Sequence, residues 1–467
     1  MKVVVALLLF ASTAFSDGWS RFRGPNGTGV DDSAALPNAL AADSARWMTE
    51  TPQGKSSPAL TDDTIFLTGH DEAQLLTMAL DRATGKVLWR RTAPSRRLEK
   101  MHRLNSEASS SPVTDGENVY VFFGGYGLLS YGPDGNERWR LPLGPFTNFH
   151  GMGASPIYVD GKIIMVCDQD QGAFVMAVDA ADGALLWRTE RPEMVHSYTT
   201  PVIYRPADGP AEVIAPGSYQ IVSYRLDNGE ELWRWRGIAY QVKGTAVIEG
   251  DRLYFNAWSV GGTAARRLVL PEFAEALARA DADGDGLISE DEIPNEWEPD
   301  SPFAMQDLDK NGEWNEKEWR YYTMRRTSTN ATVCLRLGGR GDVTDTHTIW
   351  KMQKNMPEVP AVLVYRDAAY LIKNGGIFTA FDAETGDVLK QGRIRDALDN
   401  YYASPVAGDG KIYLAGEQGL VSVVRAGADW EPMATADFGD PVFATPVISD
   451  GRIYLRAGGK LYCFGED

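Results

Sequence analysis

A tandem repeat restricts what this chain can fold into more than any other feature of it. A turn followed by an aromatic strand reads Asp81-x-x-Thr84-Gly85-x-x-x-Trp89 and returns as Gly135…Trp139, Gly183…Trp187 and Gly229…Trp233. Asp382-x-x-Thr385-Gly386 repeats the turn with Lys390 in the tryptophan place. Asp and Gly suit a tight hairpin turn, and the Trp that follows suits a strand covering the next sheet. A second marker counts the units. A small hydroxylic residue precedes proline at Ser57, Ser111, Ser155, Thr200, Ser404 and Thr445, with degenerate copies at Thr245-Ala246 and Pro360-Ala361. These eight starts, counted from residue 58, are spaced by 54, 44, 45, 45, 115, 44 and 41 residues. The outlier marks an insertion in the fifth unit.

Each unit reads as four short strands, roughly 59–60, 64–68, 75–80 and 87–91 in the first. Eight such units predict an all-β, eight-bladed β-propeller; a pair of β-sandwiches and an open solenoid are the competing architectures. The 47 glycines and 25 prolines fit many short strands joined by turns. The eighth unit runs out after its third strand. Trp47 precedes Ser57 as Trp89 precedes Ser111, so the N-terminal strand is expected to supply the missing edge and close the ring. The expected organisation is a leader at 1–16, an N-terminal extension at 17–44, propeller at 45–261 and 331–467, and an insert at 262–330.

Charge singles out the insert. The chain carries a formal net charge of -18, and residues 271–320 alone hold 16 acidic and 4 basic residues. No basic stripe exists to track phosphates, so nucleic acid is not expected as a partner. Residues 281–292 place Asp281, Asp283 and Asp285 at positions 1, 3 and 5 of a twelve-residue calcium loop. Gly286 stands at the sharp turn, Leu287 offers its carbonyl, Ser289 stands at position 9, and Glu292 supplies the closing carboxylate. A second loop fills the same positions with Asp307, Asp309, Asn311, Gly312, Glu313, Asn315 and Glu318. Two EF-hands in tandem, holding two calcium ions, are expected; a solvated acidic insert is the alternative. Ile288 and Trp314 occupy position 8 of each loop, where paired EF-hands join by a short β contact. A helix is expected at 271–280 from the spacing of Phe273, Ala276, Leu277 and Ala280. The loops start only 26 residues apart, with Pro294, Pro299 and Pro302 between them.

Lys2, an apolar run over 3–10 and Ala14-Phe15-Ser16 form a signal-peptide pattern, with Asp17 as the mature start. The run is too short to span a bilayer, and no cysteine follows it to carry a lipid. A monomeric exported protein, periplasmic or extracellular, is expected. Cys167, Cys334 and Cys463 read as buried thiols and not as a disulfide framework.

The Trp-and-Gly repeat resembles that of the PQQ-like β-propeller proteins. The opening Trp19-Ser20-x-Phe22-Arg23-Gly24-Pro25-Asn26-Gly27-x-Gly29 is similar to the N-terminal signature of an exported subgroup common in bacteria such as planctomycetes. The resemblance covers nearly the whole chain apart from the insert. It implies the propeller fold, while the family's activities range over dehydrogenases, outer-membrane assembly scaffolds and other exported proteins. The family's redox members hold a quinone against calcium beside a vicinal cysteine pair and an aromatic platform. This sequence has no vicinal cysteines, so PQQ itself is not expected.

In a propeller, the loops between blades share one face with the loops joining second to third strands. The former carry His102, Asn105, Glu107, His150, His196, Tyr198, Tyr401 and Tyr402, and the latter His70, Asp168, Gln169 and Asp170. Imidazoles and carboxylates gathered over a channel mouth suit metal binding or proton transfer. His102, Glu107, His150, Asp168 and His196 are the candidate set, with separately solvated or structural side chains as the competing explanation. No Ser-His-Asp, HExxH or phosphate-loop motif appears, and Gly338-Gly339-Arg340-Gly341 reads as a turn. Two functions remain open. One is a binding or scaffold module of the cell envelope that takes a protein or a small molecule at the channel mouth. The other is an enzyme, a quinoprotein-type oxidoreductase or a hydrolase, using the same face.

Overall fold

Eight antiparallel sheets follow one another through the computed structural model, which describes residues 18–465 except 72–73, 96, 98, 100, 261–269, 298 and 300. The expected leader and the expected start of the insert lie outside the described residues. Blade 1 is Ala59–Leu60, Thr64–His70, Leu75–Asp81 and Val87–Thr92, joined in sequence order from the inside out. Blade 8 is built from Val447–Ser449, Arg452–Ala457 and Lys460–Phe464, and its outer strand is Trp47–Glu50. Trp47 lies opposite Cys463, and Glu50 opposite Lys460. The eight-bladed ring and its closure by the N-terminal strand are as the repeat predicts.

The repeat residues show why the blades stack. In the turn of blade 1, Asp81 Oδ1 accepts from Thr84 N at 2.8 Å and from Thr84 Oγ1 at 2.7 Å. Trp89, Trp139, Trp187 and Trp350 each lie against the turn glycine of the next blade. Gly183 has φ +76°, and a Cβ there would stand 2.7 Å from the Trp139 ring, so only glycine admits the indole. Trp139 Nε1 then donates to Ala180 O at 2.9 Å. Trp47 packs on Gly85 in the same way, so the closing strand locks blade 8 onto blade 1. Lys390 replaces the indole by reaching Trp430 O at 2.8 Å in blade 7.

Blade 4 departs from the pattern. Gly341–Asp342 is not only a turn: it adds a fifth, parallel strand beside Trp233 and Arg234. The intruding strand belongs to a long loop that replaces the tight turn of blade 5. Trp233 has no turn glycine to cover and donates instead to Glu212 of its own blade at 2.8 Å. Trp235 takes over the link to blade 5, donating to Thr348 Oγ1 at 2.9 Å.

The hydroxyl before proline has its own task. Ser57 N donates to Ser111 Oγ at 2.9 Å, Ser111 N to Ser155 Oγ at 2.9 Å, and Ser155 N to Thr200 Oγ1 at 3.1 Å. Ala361 N and Ser404 N continue the series to Ser404 Oγ and Thr445 Oγ1, both at 3.0 Å. Ser111, Ser155, Thr200, Ser404 and Thr445 thus each satisfy a buried amide of the preceding blade. Ala361 offers no hydroxyl, and there Asn256 bridges Val362 N at 2.6 Å and Pro360 O at 2.9 Å.

Residues 18–31 cross the channel at the ends of the innermost strands. Leu60 N and Thr114 N donate to Trp19 O and Ser20 O, both at 2.9 Å. Arg21 reaches Pro201 O at 2.6 Å, Arg23 reaches Val362 O at 3.0 Å, and Asn26 pairs with both backbone groups of Ile203. Val30 bridges Ala407. This segment touches blades 1, 2, 4, 6 and 7, and Trp19 joins the apolar cluster of blades 7, 8 and 1. The segment expected as a plain extension is a plug.

The insertion leaves blade 5 between its strands Arg252–Ala257 and Ala331–Arg336. Two helices shape it, α1 (Phe273–Ala280) and α2 (Glu316–Thr327). Glu290–Glu292 closes the first loop as a 3-10 turn, and between the loops the described residues form two more, Asn295–Trp297 and Phe303–Met305, because proline removes amide donors and clashes with a continuing helix. Phe303 stacks on Trp314 at 4.3 Å, and Trp319 and Tyr322 close a small aromatic core. At the neck, Asn330 receives a hydrogen bond from Ser259 N at 2.8 Å and donates to Ser259 O at 3.0 Å.

Candidate functional site

Both acidic loops are folded around a centre. In the first, Asp281 accepts from Gly284 N at 2.7 Å and Gly286 N at 3.0 Å, while Glu292 folds back onto Ala282 N at 2.8 Å and Ser289 N at 2.9 Å. In the second, Glu318 accepts from Leu308 N at 2.6 Å and Asn315 N at 2.9 Å, and Asp307 from Gly312 N at 2.9 Å. Carboxylate oxygens of Asp281, Asp283 and Asp285 come within 4.8 Å of one another, as do those of Asp307, Asp309 and Glu318. Ile288 pairs with Trp314 as a two-residue antiparallel bridge between the loops. Side-chain oxygens held together around glycine turns are the donor set that calcium requires.

On the propeller, the inter-blade loops surround a cavity of about 350 Å³ with Phe22 of the plug among its lining residues. The residue two places before each marker position lines it, once per blade: Lys55, Ser109, Gly153 and Tyr198 from blades 1 to 4, then Lys243, Val359, Tyr402 and Phe443 from blades 5 to 8. In blade 6 the strand register puts Ala361, and not Pro360, in the hydroxyl's place. The two-residue period of extended chain points these positions and the hydroxyls the same way. Lys55 Nζ stands 3.8 Å from the Phe443 ring centre, and Lys243 Nζ 5.4 Å from that of Trp258. Burial pushes both ammonium groups down to about 8. Tyr402 stacks on Phe443 at 5.8 Å.

The candidate residues divide. His102 and His150 line the cavity, their rings 4.8 Å apart. His150 Nδ1 lies 2.7 Å from the Tyr198 hydroxyl and 3.2 Å from the Gln241 amide nitrogen. Burial, then the neighbouring His196 and His102, hold the His150 ring down at about 3, so it is neutral at physiological pH. Burial keeps Tyr198 far above the usual phenol range, so its hydroxyl stays protonated. With two donors facing Nδ1, the imidazole proton sits on Nε2. His196 is buried behind this pair, 6.0 Å from the His150 ring, and bonds Asp170 Oδ1 at 2.5 Å. Asp168 is held elsewhere: it forms a fully buried ion pair with Arg191, at 2.7 and 3.0 Å. Glu107 does not line the cavity; after burial, its charge helps raise Glu99 to about 7. Tyr401 is buried with its hydroxyl on Ala397 O at 2.8 Å, whereas Tyr402 reaches the mouth.

The insert reaches this region. Lys317, next to the loop-closing Glu318, donates to the carbonyl of Asp170, whose carboxylate holds His196. Tyr321 packs edge-on against His196 at 5.8 Å. Lys55, Lys243, Trp258, Glu358 and Phe443 were not among the candidates. The signal for Lys55, Lys243 and Phe443 was present in the fixed offset from the marker hydroxyl. Glu358 stands two places before Pro360, the degenerate marker, and next to the ring position Val359, while Trp258 lies in a loop where no offset applies.

The sequence matches the family described as outer membrane protein assembly factor BamB over residues 76–265. A comparison with curated proteins finds no match. Among solved structures, BamB from Moraxella catarrhalis is similar with a TM-score of 0.55 and 12% identity, covering 90% of this chain and 98% of that one. A europium-containing methanol dehydrogenase aligns with a TM-score of 0.58 and 10% identity, over 94% of this chain and 96% of its own. Quinohemoprotein alcohol dehydrogenase from Comamonas testosteroni follows with a TM-score of 0.53 and 11% identity, over 98% and 82%. At these identities the structural likeness establishes the fold alone. No helix among the described residues is long and apolar enough to cross a membrane. The chain is thus an eight-bladed β-propeller of four-stranded blades, and its residues 76–265 carry a repeat similar to that of the PQQ-like propellers.

Proposed function

We propose that this chain is an exported, calcium-binding propeller of the cell envelope that acts as a binding module, with the channel mouth as its binding site. The observation that carries the reading is the cavity itself, lined by one equivalent residue from every blade, with Phe22 of the plug among its lining. Concave chambers with aromatic walls and a few charged groups are where small ligands bind. Export rests on the pattern around Lys2, the 3–10 run and Ala14 to Ser16. An envelope role is supported by the family match, since that family's description is an outer-membrane assembly factor. Calcium, two ions, is supported by the two carboxylate clusters, with Asp281, Asp283, Asp285, Leu287, Ser289 and Glu292 at one site and Asp307, Asp309, Asn311, Glu313, Asn315 and Glu318 at the other.

A quinone–calcium centre of the dehydrogenase type does not fit the mouth. Cys167, Cys334 and Cys463 are buried in blades 3, 5 and 8, so no two can form a vicinal pair. Glu358 is the one carboxylate among the described residues lining the cavity, too few to seat a calcium ion there. Filling the mouth tests the reading. Gly153 lines the cavity without a positive φ, and the nearest atom to a Cβ there is Tyr198 Cδ1 at 3.4 Å, an ordinary contact, so Gly153→Trp is the substitution expected to fill the chamber, provided that its melting temperature matches the native chain. Envelope extract passed over immobilised protein is expected to leave bound material on the native chain and not on this variant, read by mass spectrometry. Equal retention by both rules the mouth out as the site.

A further inference from the structure

The mouth has a charge pattern that names a ligand class. The chain as a whole is strongly acidic, at -18, yet of its eight ring positions the two that carry charge are both lysines. They stand in blades 1 and 5, four blades apart in a ring of eight, and therefore face each other across the channel. We propose that the mouth takes a small organic dianion, a dicarboxylate held end to end between Lys55 and Lys243. This rests on the reading of the mouth as a binding site.

The surroundings support two anchors over one. The two lysines enter from opposite blades, so an anion with a carboxylate at each end suits them better than a single carboxylate. On the arc between them, the His150 proton sits on Nε2, because Nδ1 faces the Tyr198 hydroxyl and the Gln241 amide. His102 Nδ1 accepts from Leu104 N at 3.3 Å, which leaves its N–H at Nε2 as well. Rings in this tautomer present donors and not metal-binding lone pairs, so they suit acceptor oxygens. The opposite wall, Tyr402 stacked on Phe443, suits the ligand's hydrocarbon spacer. Two ammonium groups against one carboxylate, Glu358, leave the lining net positive within an acidic protein, which favours anions at the site.

Both lysines have neighbours that temper their charge. Lys55 faces Glu417 and Arg103, and Lys243 faces Glu358 at 4.0 Å with His150 beside it. Burial dominates, and both groups titrate near 8 in the free protein. Unfolded lysine titrates near ~10.4, so the unfolded chain binds more protons between the two values, and the ligand-free fold gains stability from these groups as pH rises from 8 toward ~10. A dianion reverses the sign. It favours the charged lysines, binds with proton uptake, and weakens as pH climbs past 8.

The test is calorimetric titration of the whole chain with succinate, adipate and suberate, with hexanoate and 1,6-hexanediol as matched controls. The expected result is that one dicarboxylate binds at least ~10-fold more tightly than hexanoate, that hexanediol is weaker still, and that affinity falls between pH 7.5 and 9.5. Lys55→Met and Lys243→Met should each cost ~10-fold, and Lys243→Arg should restore most of the loss. If hexanediol or hexanoate binds as well as every dicarboxylate, and Gly153→Trp abolishes that binding, the dianion is wrong while the mouth remains a binding site. If no compound of the series binds, the dianion assignment falls, and the extract experiment with Gly153→Trp judges the mouth separately. Full affinity in both methionine variants likewise overturns the assignment.

Discussion

At the scale of single residues, the marker hydroxyls are not equivalent, although the sequence makes them look so. Ser111 Oγ accepts from the buried Ser57 amide at 2.9 Å, so Ser111→Ala leaves that N–H without a partner. The expected loss is about 1–3 kcal/mol in urea unfolding. Ser57 Oγ, by contrast, has no hydrogen-bond partner among the described residues, and Ser57 lies at the cavity wall. Ser57→Ala should change stability by less than ~0.5 kcal/mol. A comparable loss in both variants would mean that the hydroxyls act through packing and not through the amide series. Sequence reading saw the marker as a counter of strands; its physical role, satisfying an amide in the previous blade, depends on which blades become neighbours. For the same reason Asp168 looked functional. Only the fold brings Arg191 against it and encloses both.

At the scale of elements, the insert was the most legible part of the site and the mouth the least. Asp281 to Glu292 and Asp307 to Glu318 are local in sequence, so the positions of oxygen and glycine specify the loop without tertiary help. What spacing did not show was that the connecting helices shrink to 3-10 turns and that α2 packs against His196 through Tyr321. The mouth residues come from eight loops and share only an offset, visible once the blades are aligned. The aromatic core makes calcium loading measurable. Trp314 is fully buried between the loops, stacked on Phe303, and its fluorescence should respond as calcium is added. Each site filled to ~100-fold above its dissociation constant adds about 2.7 kcal/mol to the loaded state, so chelation should lower the melting temperature. Glu292→Gln and Glu318→Gln each remove a closing carboxylate and should abolish one of two binding steps in calorimetry. Native chain that takes up no calcium at ~1 mM would remove the calcium assignment, since weak extracellular sites still load there.

At the scale of the whole molecule, the N-terminal segment does two separable jobs. Trp47–Glu50 completes blade 8 and carries the indole that covers Gly85 of blade 1, so it closes the ring. Residues 18–31 instead tie the inner strands of blades 1, 2, 4, 6 and 7 together and contribute Phe22 to the cavity lining. Two truncations distinguish them. Removing 18–31 leaves every blade with its four strands and Trp47 on Gly85, so the chain should stay eight-bladed with no new self-association. It loses the buried contacts of Trp19 and the backbone bonds of the plug, and should melt lower. Removing 18–51 strips the partner from Lys460–Phe464 and exposes a paired strand's edge, while Trp47 no longer joins blade 8 to blade 1. Unpaired edges recruit other chains, so this variant should self-associate on light scattering. The order of the two effects is the point of the test. If the shorter truncation aggregates as fully as the longer one, the plug and not the closing strand holds the ring together. If the longer truncation stays monomeric, the indole between blades 8 and 1 contributes little to closure.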